Sequence, residues 1–404
     1  MSLADQHYRW VIVAFTIVLQ AVNVGILTYC FALFSLPWLD EFAAPRRDVM
    51  LTISFVQVGM GVISPFVGGW LDRIPMRLVV ISGALLLGLG LWLSQLVTAL
   101  WQLWLIYATI MPLSTALMGT LAAQTLVAKW FSSQRGLALG LSAIGTNVGG
   151  VIFPTVVAAM LASYGWRETF VYLAWLAIGI VVPLALIVLR RTPVPVEVSS
   201  ATDPTSATAA LSLRDTRLWS TQEILSTPLF WLPFLSLIPL TMAFGALQFN
   251  LGGLVRDMRL EDGVTAGLIT ISAIAMVLGK LFFGSLGDRV DHRYLFWLSA
   301  AAMYLSCILL LSVESQLGLT VAVIAMGLSG GGILPLMGVI FGSRFGAASF
   351  GKVMGFVMLN VLVAAFSPTI AGWFYDVSGS YDWAWIGLML VSAPALVAMY
   401  WLPE

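Results

Sequence analysis

The chain has 404 residues and a formal net charge of +0; 60% of the residues are hydrophobic and 9% are charged. A soluble globular chain carries roughly 45–50% apolar and about 25% charged residues, so this composition excludes a soluble enzyme and a disordered chain. Balanced charge with no basic block also excludes a nucleic-acid binder, which needs cations to neutralise phosphates.

A membrane helix needs roughly 20 mostly apolar residues. Twelve such runs follow in order, at 10–36, 49–71, 78–97, 101–128, 136–161, 167–189, 229–252, 264–286, 294–313, 317–342, 353–375 and 383–402. The first reads as a retained span, because it is too long for a signal peptide and lacks a small-residue cleavage site. After the sixth run comes a polar stretch, 191–227. Its centre, SSATDPTSATAA, is of low complexity and reads as a linker. The predicted fold is an all-α membrane protein of twelve helices in two six-helix bundles, 1–190 and 228–404, around a cytoplasmic linker. Trp10, Trp38, Trp101, Trp104, Trp166, Trp383 and Trp401 sit near span ends, as an interfacial belt requires.

Charge placement sets the expected orientation. With both termini inside, the inner segments hold Arg9, Arg73, Arg77, Lys129, Arg135, Arg190, Arg191, Arg214, Arg217, Arg289, Arg293, Arg344 and Lys352. The outer ones hold Arg46, Arg47, Arg167, Arg256 and Arg259. That excess predicts cytoplasmic termini. Compact loops and short termini point to a bacterial inner membrane. The two cysteines, Cys30 and Cys307, lie in separate apolar runs, and the two histidines are His7 and His292. Neither a disulfide framework, a metal site nor a Ser-His-Asp constellation can be assembled from them. No catalytic residue, cofactor or metal is expected.

The chain repeats itself. GGWLDRIPMR (Gly68 to Arg77) follows the second span, and GSLGDRVDHR (Gly284 to Arg293) follows the eighth. Asp72 and Asp288 hold matching places. KWFSSQRGLALG (Lys129 to Gly140) and SRFGAASFGKVMG (Ser343 to Gly355) echo one another between spans four and five and spans ten and eleven. Two parallel six-helix halves are a transporter signature. Asp72, Arg73, Arg77, Asp288, Arg289 and Arg293 are candidate gating residues, whose pairs would hold the cytoplasmic side shut in one state and part in the other.

Lys280 is the one cation inside a span, eight residues before Asp288 and roughly 12 Å from the cytoplasmic end. A charge at that depth costs at least about 2.5–3.5 kcal/mol on insertion scales. It either faces a watery cavity or a partner, or snorkels to the interface. Every Asp and Glu falls in a loop or at the end of a span.

These motifs resemble the major facilitator superfamily over essentially the whole chain. Gly68, Asp72, Arg73 and Arg77 match its loop motif, while Pro75 and Met76 depart from it. Three segments resemble the monocarboxylate porter and oxalate/formate exchanger group in particular: YCFALFSLPWLDEF (Tyr29 to Phe42), KWFSSQRGLALGLSAIGTNVGGVIFP (Lys129 to Pro154), and the eighth span with Lys280, Gly284, Asp288 and Arg289. The resemblance implies that Lys280 binds substrate carboxylate where the group usually has arginine. Lysine offers a point charge in place of a two-donor grip.

Proton-coupled members of the group carry an aspartate where this chain has Met276 and a lysine where it has Leu33. Proton symport through a dedicated carboxylate is therefore not expected. Anion exchange, uniport, and symport with the proton on Lys280 or on the substrate stay open. The spans lining the family's cavity make Tyr29, Gln124, Asn147, Gln248 and Asn360 the preferred substrate-binding partners of Lys280, ahead of Asn23, Gln57 and Asn250. Each could equally serve helix packing. The glycine run Gly327 to Gly332 reads as a place of bending or close approach. The expected function is transport of small organic anions, mono- or dicarboxylates, by alternating access, with a proton or counter-anion as co-substrate. The other reading is efflux of neutral or amphipathic compounds with Lys280 structural. The expected partners are the lipid bilayer and the substrate, and the expected state is a monomer.

Overall fold

In a bilayer core every backbone N–H and C=O must find a partner within the protein, which leaves helices for a chain of this composition. The structure, a computed structural model, describes residues 3–131, 134–190, 219–287, 289–312 and 315–401. Helix dominates them, and no strand occurs among the described residues. Among the described residues, eleven helices are long and apolar enough to cross a membrane. One of these, Leu137–Val188, has 52 residues and is two spans in one. Its backbone breaks at Gly165, where φ is 76° and ψ is 175°. Only glycine adopts those angles without strain. The described residues thus hold the twelve expected spans. Gly346 (φ 69°, ψ 169°) makes the same break inside Gln316–Val357, between spans ten and eleven.

Three spans are irregular in ways that hydropathy does not signal. The first runs as Leu3–Val24, a π-helical turn Gly25–Tyr29, and Phe31–Phe42. The fourth stops at Met118 and restarts at Thr120. The eleventh continues past Val357 in two pieces, Leu359–Ala364 and Ser367–Ser378. Inside the expected linker, Thr221–Ser226 is helical. A capping box explains it: Ser220 Oγ accepts from the Glu223 N–H at 3.2 Å, and Glu223 Oε2 accepts from the Ser220 N–H at 2.8 Å.

The chain forms two compact units, Met1–Val196 with Gln248–Ala273, and Glu197–Leu247 with Ile274–Glu404. In the first, the first and fifth spans meet backbone to backbone. Gly145 abuts Ile17, and Gly149 abuts the Ala21 carbonyl and Gly25, with no room for a Cβ at either glycine. Phe31, Phe34, Trp38 and Phe170 fill the adjoining core, Phe34 and Phe170 stacking at 4.3 Å between ring centres. In the second unit, Phe230, Phe341 and Phe345 are buried together, and Trp219 packs edge-on against Phe345.

Candidate functional site

Lys280 lies in the second unit, on the helix Asp262–Leu286. The glycine run of the tenth span shapes its surroundings. Gly331 abuts the Met276 backbone, Gly332 the Phe283 ring and Gly330 the Phe244 ring. Gly279 returns the approach by abutting the Leu328 backbone. Spans eight and ten therefore touch along Met276 to Phe283, on both sides of Lys280. Side chains at those glycines would force the helices apart. The lysine is half-buried on a stretch of backbone that its neighbours fix in place, which is the condition for a charge to act at a defined point.

The first unit holds a second polar cluster. Asn147 on the fifth span is fully buried and donates from Nδ2 to the Tyr29 hydroxyl at 3.1 Å and to the Ala273 carbonyl at 3.2 Å. The π turn ends at Tyr29, and its ring rests where Gly150 leaves space. Gln248 accepts from Ser272 Oγ at 3.1 Å. Gln20 donates to both the carbonyl and the hydroxyl of Ser142, at 2.7 and 2.9 Å. The structure thus joins Tyr29 with Asn147, and Gln248 with Ser272. Asn360, in the second unit, is buried and donates to the Phe234 carbonyl at 3.3 Å. Gln124 stands exposed on the fourth span.

Of the six candidate gating residues, Asp288 lies outside the described residues, and of Asp72 only the helical backbone is described. Arg73, Arg77 and Arg289 are exposed. Arg293 pairs within its own connection, at 2.8 Å from Asp291. That guanidinium holds the Asp291 carboxyl below the ordinary aspartate range, first through the side-chain hydrogen bond.

A charged network that loop counting treated only as an orientation signal ties the opposite end of the first unit. Arg46 forks onto Asp257 with distances of 2.8 and 2.5 Å. Arg256 meets Asp40 at 2.7 Å. Arg167 pairs with Glu41 and donates to the Gln95 and Val97 carbonyls, at 3.0 and 2.8 Å. Trp166 Nε1 donates to Glu41 at 2.6 Å. The side chains of Arg46 and Asp257 are 11% and 29% exposed, so solvent screens the fork only in part. Asp257→Asn and Arg46→Gln are each expected to cost about 1 kcal/mol. The double variant should cost no more than either single, as thermal melting of all three would show; additive losses would mean that the pair is not coupled.

A family model described as Major Facilitator Superfamily matches residues 13–269 and 253–404. Monocarboxylate transporter 12 of Rattus norvegicus is 26% identical, over 95% of this chain and 83% of its own length. The uncharacterized MFS-type transporter YcxA of Bacillus subtilis (strain 168) is 20% identical over 92% and 90%. Riboflavin transporter RibJ of Trypanosoma cruzi (strain CL Brener) is 24% identical over 74% and 72%. Among solved structures, a bacterial homolog to the human lysosomal transporter Spinster, inward-facing and unoccupied, superposes with a TM-score of 0.71. It covers 100% of this chain and 95% of that one at 13% identity, a likeness of fold alone.

Proposed function

The chain belongs to the Major Facilitator Superfamily, and from that premise we propose that it carries small organic anions, mono- or dicarboxylates, with Lys280 as the carboxylate-binding cation. That it is an integral membrane transporter and not an enzyme follows from the family and from its apolar helices. The finer reading rests on one observation: a cationic side chain held inside the eighth span where glycines lock spans eight and ten together. The similarity to monocarboxylate transporter 12 supports it.

Tyr29, Asn147, Gln248, Asn360 and Gln124 supply neutral donors and acceptors for the rest of the substrate. Two six-span halves, 1–190 and 228–404, alternate access around the linker 191–227. Asp72, Arg73, Arg77, Asp288, Arg289 and Arg293 gate the cytoplasmic side. The protein works as a monomer in a bacterial inner membrane with both termini in the cytoplasm. Net flux is anion exchange, uniport, or symport in which Lys280 or the substrate carries the proton.

The test is thermal melting of the purified protein with a panel of carboxylates and their neutral amides. A ligand of the folded state raises the melting temperature by mass action. Stabilisation by acids and not by amides, lost in Lys280→Gln, is the expected result. The riboflavin relative favours a second reading, transport of an uncharged amphipathic compound. Stabilisation by such compounds alone would establish that reading and return Lys280 to a structural role.

A further inference from the structure

The interruption of the fourth span creates an unusual polar point. The helix Leu100–Met118 ends at Gly119, which is extended (φ −83°, ψ −150°), and Thr120–Trp130 begins directly after it. A helix that stops leaves its last carbonyls without intrahelical partners and places negative partial charge at its end. The Gly119 N–H covers one of them, the Thr115 carbonyl, at 2.7 Å.

Asn23 meets this break from the first span, just before the π turn, and π turns gather at functional places. Its Oδ1 lies 3.0 Å from where a Cβ on Gly119 would stand, and Thr115 Cγ2 lies 3.1 Å from the same point. Asn23 is fully buried. Among the described residues, neither of its amide atoms has a hydrogen-bond partner, and the buried Thr115 hydroxyl has none either. The neighbouring threonines behave differently. Thr109 and Thr125 return their hydroxyls to the carbonyl four residues back, at 2.7 and 2.8 Å. Burying an amide and a hydroxyl unsatisfied is costly, more so in a membrane.

We propose that Asn23 and Thr115, with the carbonyls released at Gly119, bind a monovalent cation of sodium size. The donors are neutral oxygens at the junction where one helix ends and the next begins. Oxygen ligands without formal charge suit a hard alkali cation. Divalent calcium and magnesium sites recruit carboxylates, and transition metals recruit imidazole or thiolate. No group of such side chains that could hold a metal ion occurs among the described residues. An unwound helix whose carbonyls meet a side-chain oxygen is also how other carriers hold sodium. The inference stands independently of the carboxylate reading, because occupancy of this point needs no Lys280.

The test is thermal melting of the full-length protein in sodium, potassium and choline chloride at equal ionic strength. Sodium is expected to raise the melting temperature by about 3 °C over choline through preferential binding to the folded state. Thr115→Val should melt unchanged in choline and lose the sodium rise, because the hydroxyl it removes serves the cation alone. Asn23→Leu should lose the rise as well. If Asn23→Leu yields no folded protein, Thr115→Val decides the matter. Equal melting of the wild type in the three salts would overturn the proposal. So would a sodium rise that survives Thr115→Val, or a Thr115→Val variant that is destabilised in choline by as much as sodium stabilises the wild type.

Discussion

Lys280→Gln is expected to abolish carboxylate transport in reconstituted vesicles while leaving the protein folded. A substrate carboxylate that enters an apolar interior loses its hydration. An opposite charge at a fixed point is what offsets that loss. Removing one partner of a buried, hydrogen-bonded charge pair costs about 2–5 kcal/mol, or roughly 30-fold to several thousand-fold in affinity. Glutamine keeps a hydrogen-bonding tip on a side chain one atom shorter, so the comparison removes the charge at little cost in shape. Lys280→Arg should restore transport and narrow selectivity, since a guanidinium grips a carboxylate with two parallel donors. Normal carboxylate uptake by the glutamine variant would remove Lys280 from the site altogether.

Gly149→Val is expected to be the most damaging packing change in the first unit. The atoms in its way are the Ala21 carbonyl and the backbone of Gly25, which cannot swing aside as a side chain can. Overpacking of a close helix contact costs about 3 kcal/mol at its upper end. Here it would also displace the π turn that delivers Tyr29 to Asn147. Gly140→Val is the control. It sits on the same helix at an exposed position, with nothing within 4 Å of its would-be Cβ. Melting and size-exclusion profiles should separate the two sharply; equal behaviour would mean that the first and fifth spans do not rely on close approach.

What the sequence reveals and what it hides follow from range. A span is a local property: some 20 apolar residues in a row announce it, and the twelve runs are all there in the helices. A lysine in such a run is equally visible, because nothing else in the run has its cost. The interruptions are different. Gly119 sits among Met118, Thr120 and Leu121, and no change in hydropathy marks it. The same holds for the π turn of Gly25–Tyr29, which arises where the first span accommodates the fifth. Glycines in the tenth span could be named as a place of close approach, but not the backbone they would meet, because the partners lie about 50 residues away on the eighth. Tyr29 and Asn147 could each be picked out as polar residues in apolar runs, while their hydrogen bond joins positions 118 apart. Arg46 and Asp257 are 211 apart, so in the sequence they register only as two loop charges. The short helix before the seventh span was legible in principle. Ser220 and Glu223 have capping-box spacing, but the polar surroundings hid it.

Gly165 carries a consequence out of proportion to its size. Without a reversal, the 52 residues of Leu137–Val188 would make a rod about 78 Å long at 1.5 Å per residue, against a hydrocarbon core of about 30 Å. Such a rod could cross only once. Each crossing moves the chain to the other face, so losing one crossing changes the count from even to odd. Every segment after Val188, including the repeated Asp-Arg turn and its arginines, would then emerge on the opposite face of the bilayer. The sidedness of the whole second half therefore depends on the parity set by a single backbone angle, one that no side-chain-bearing residue readily adopts.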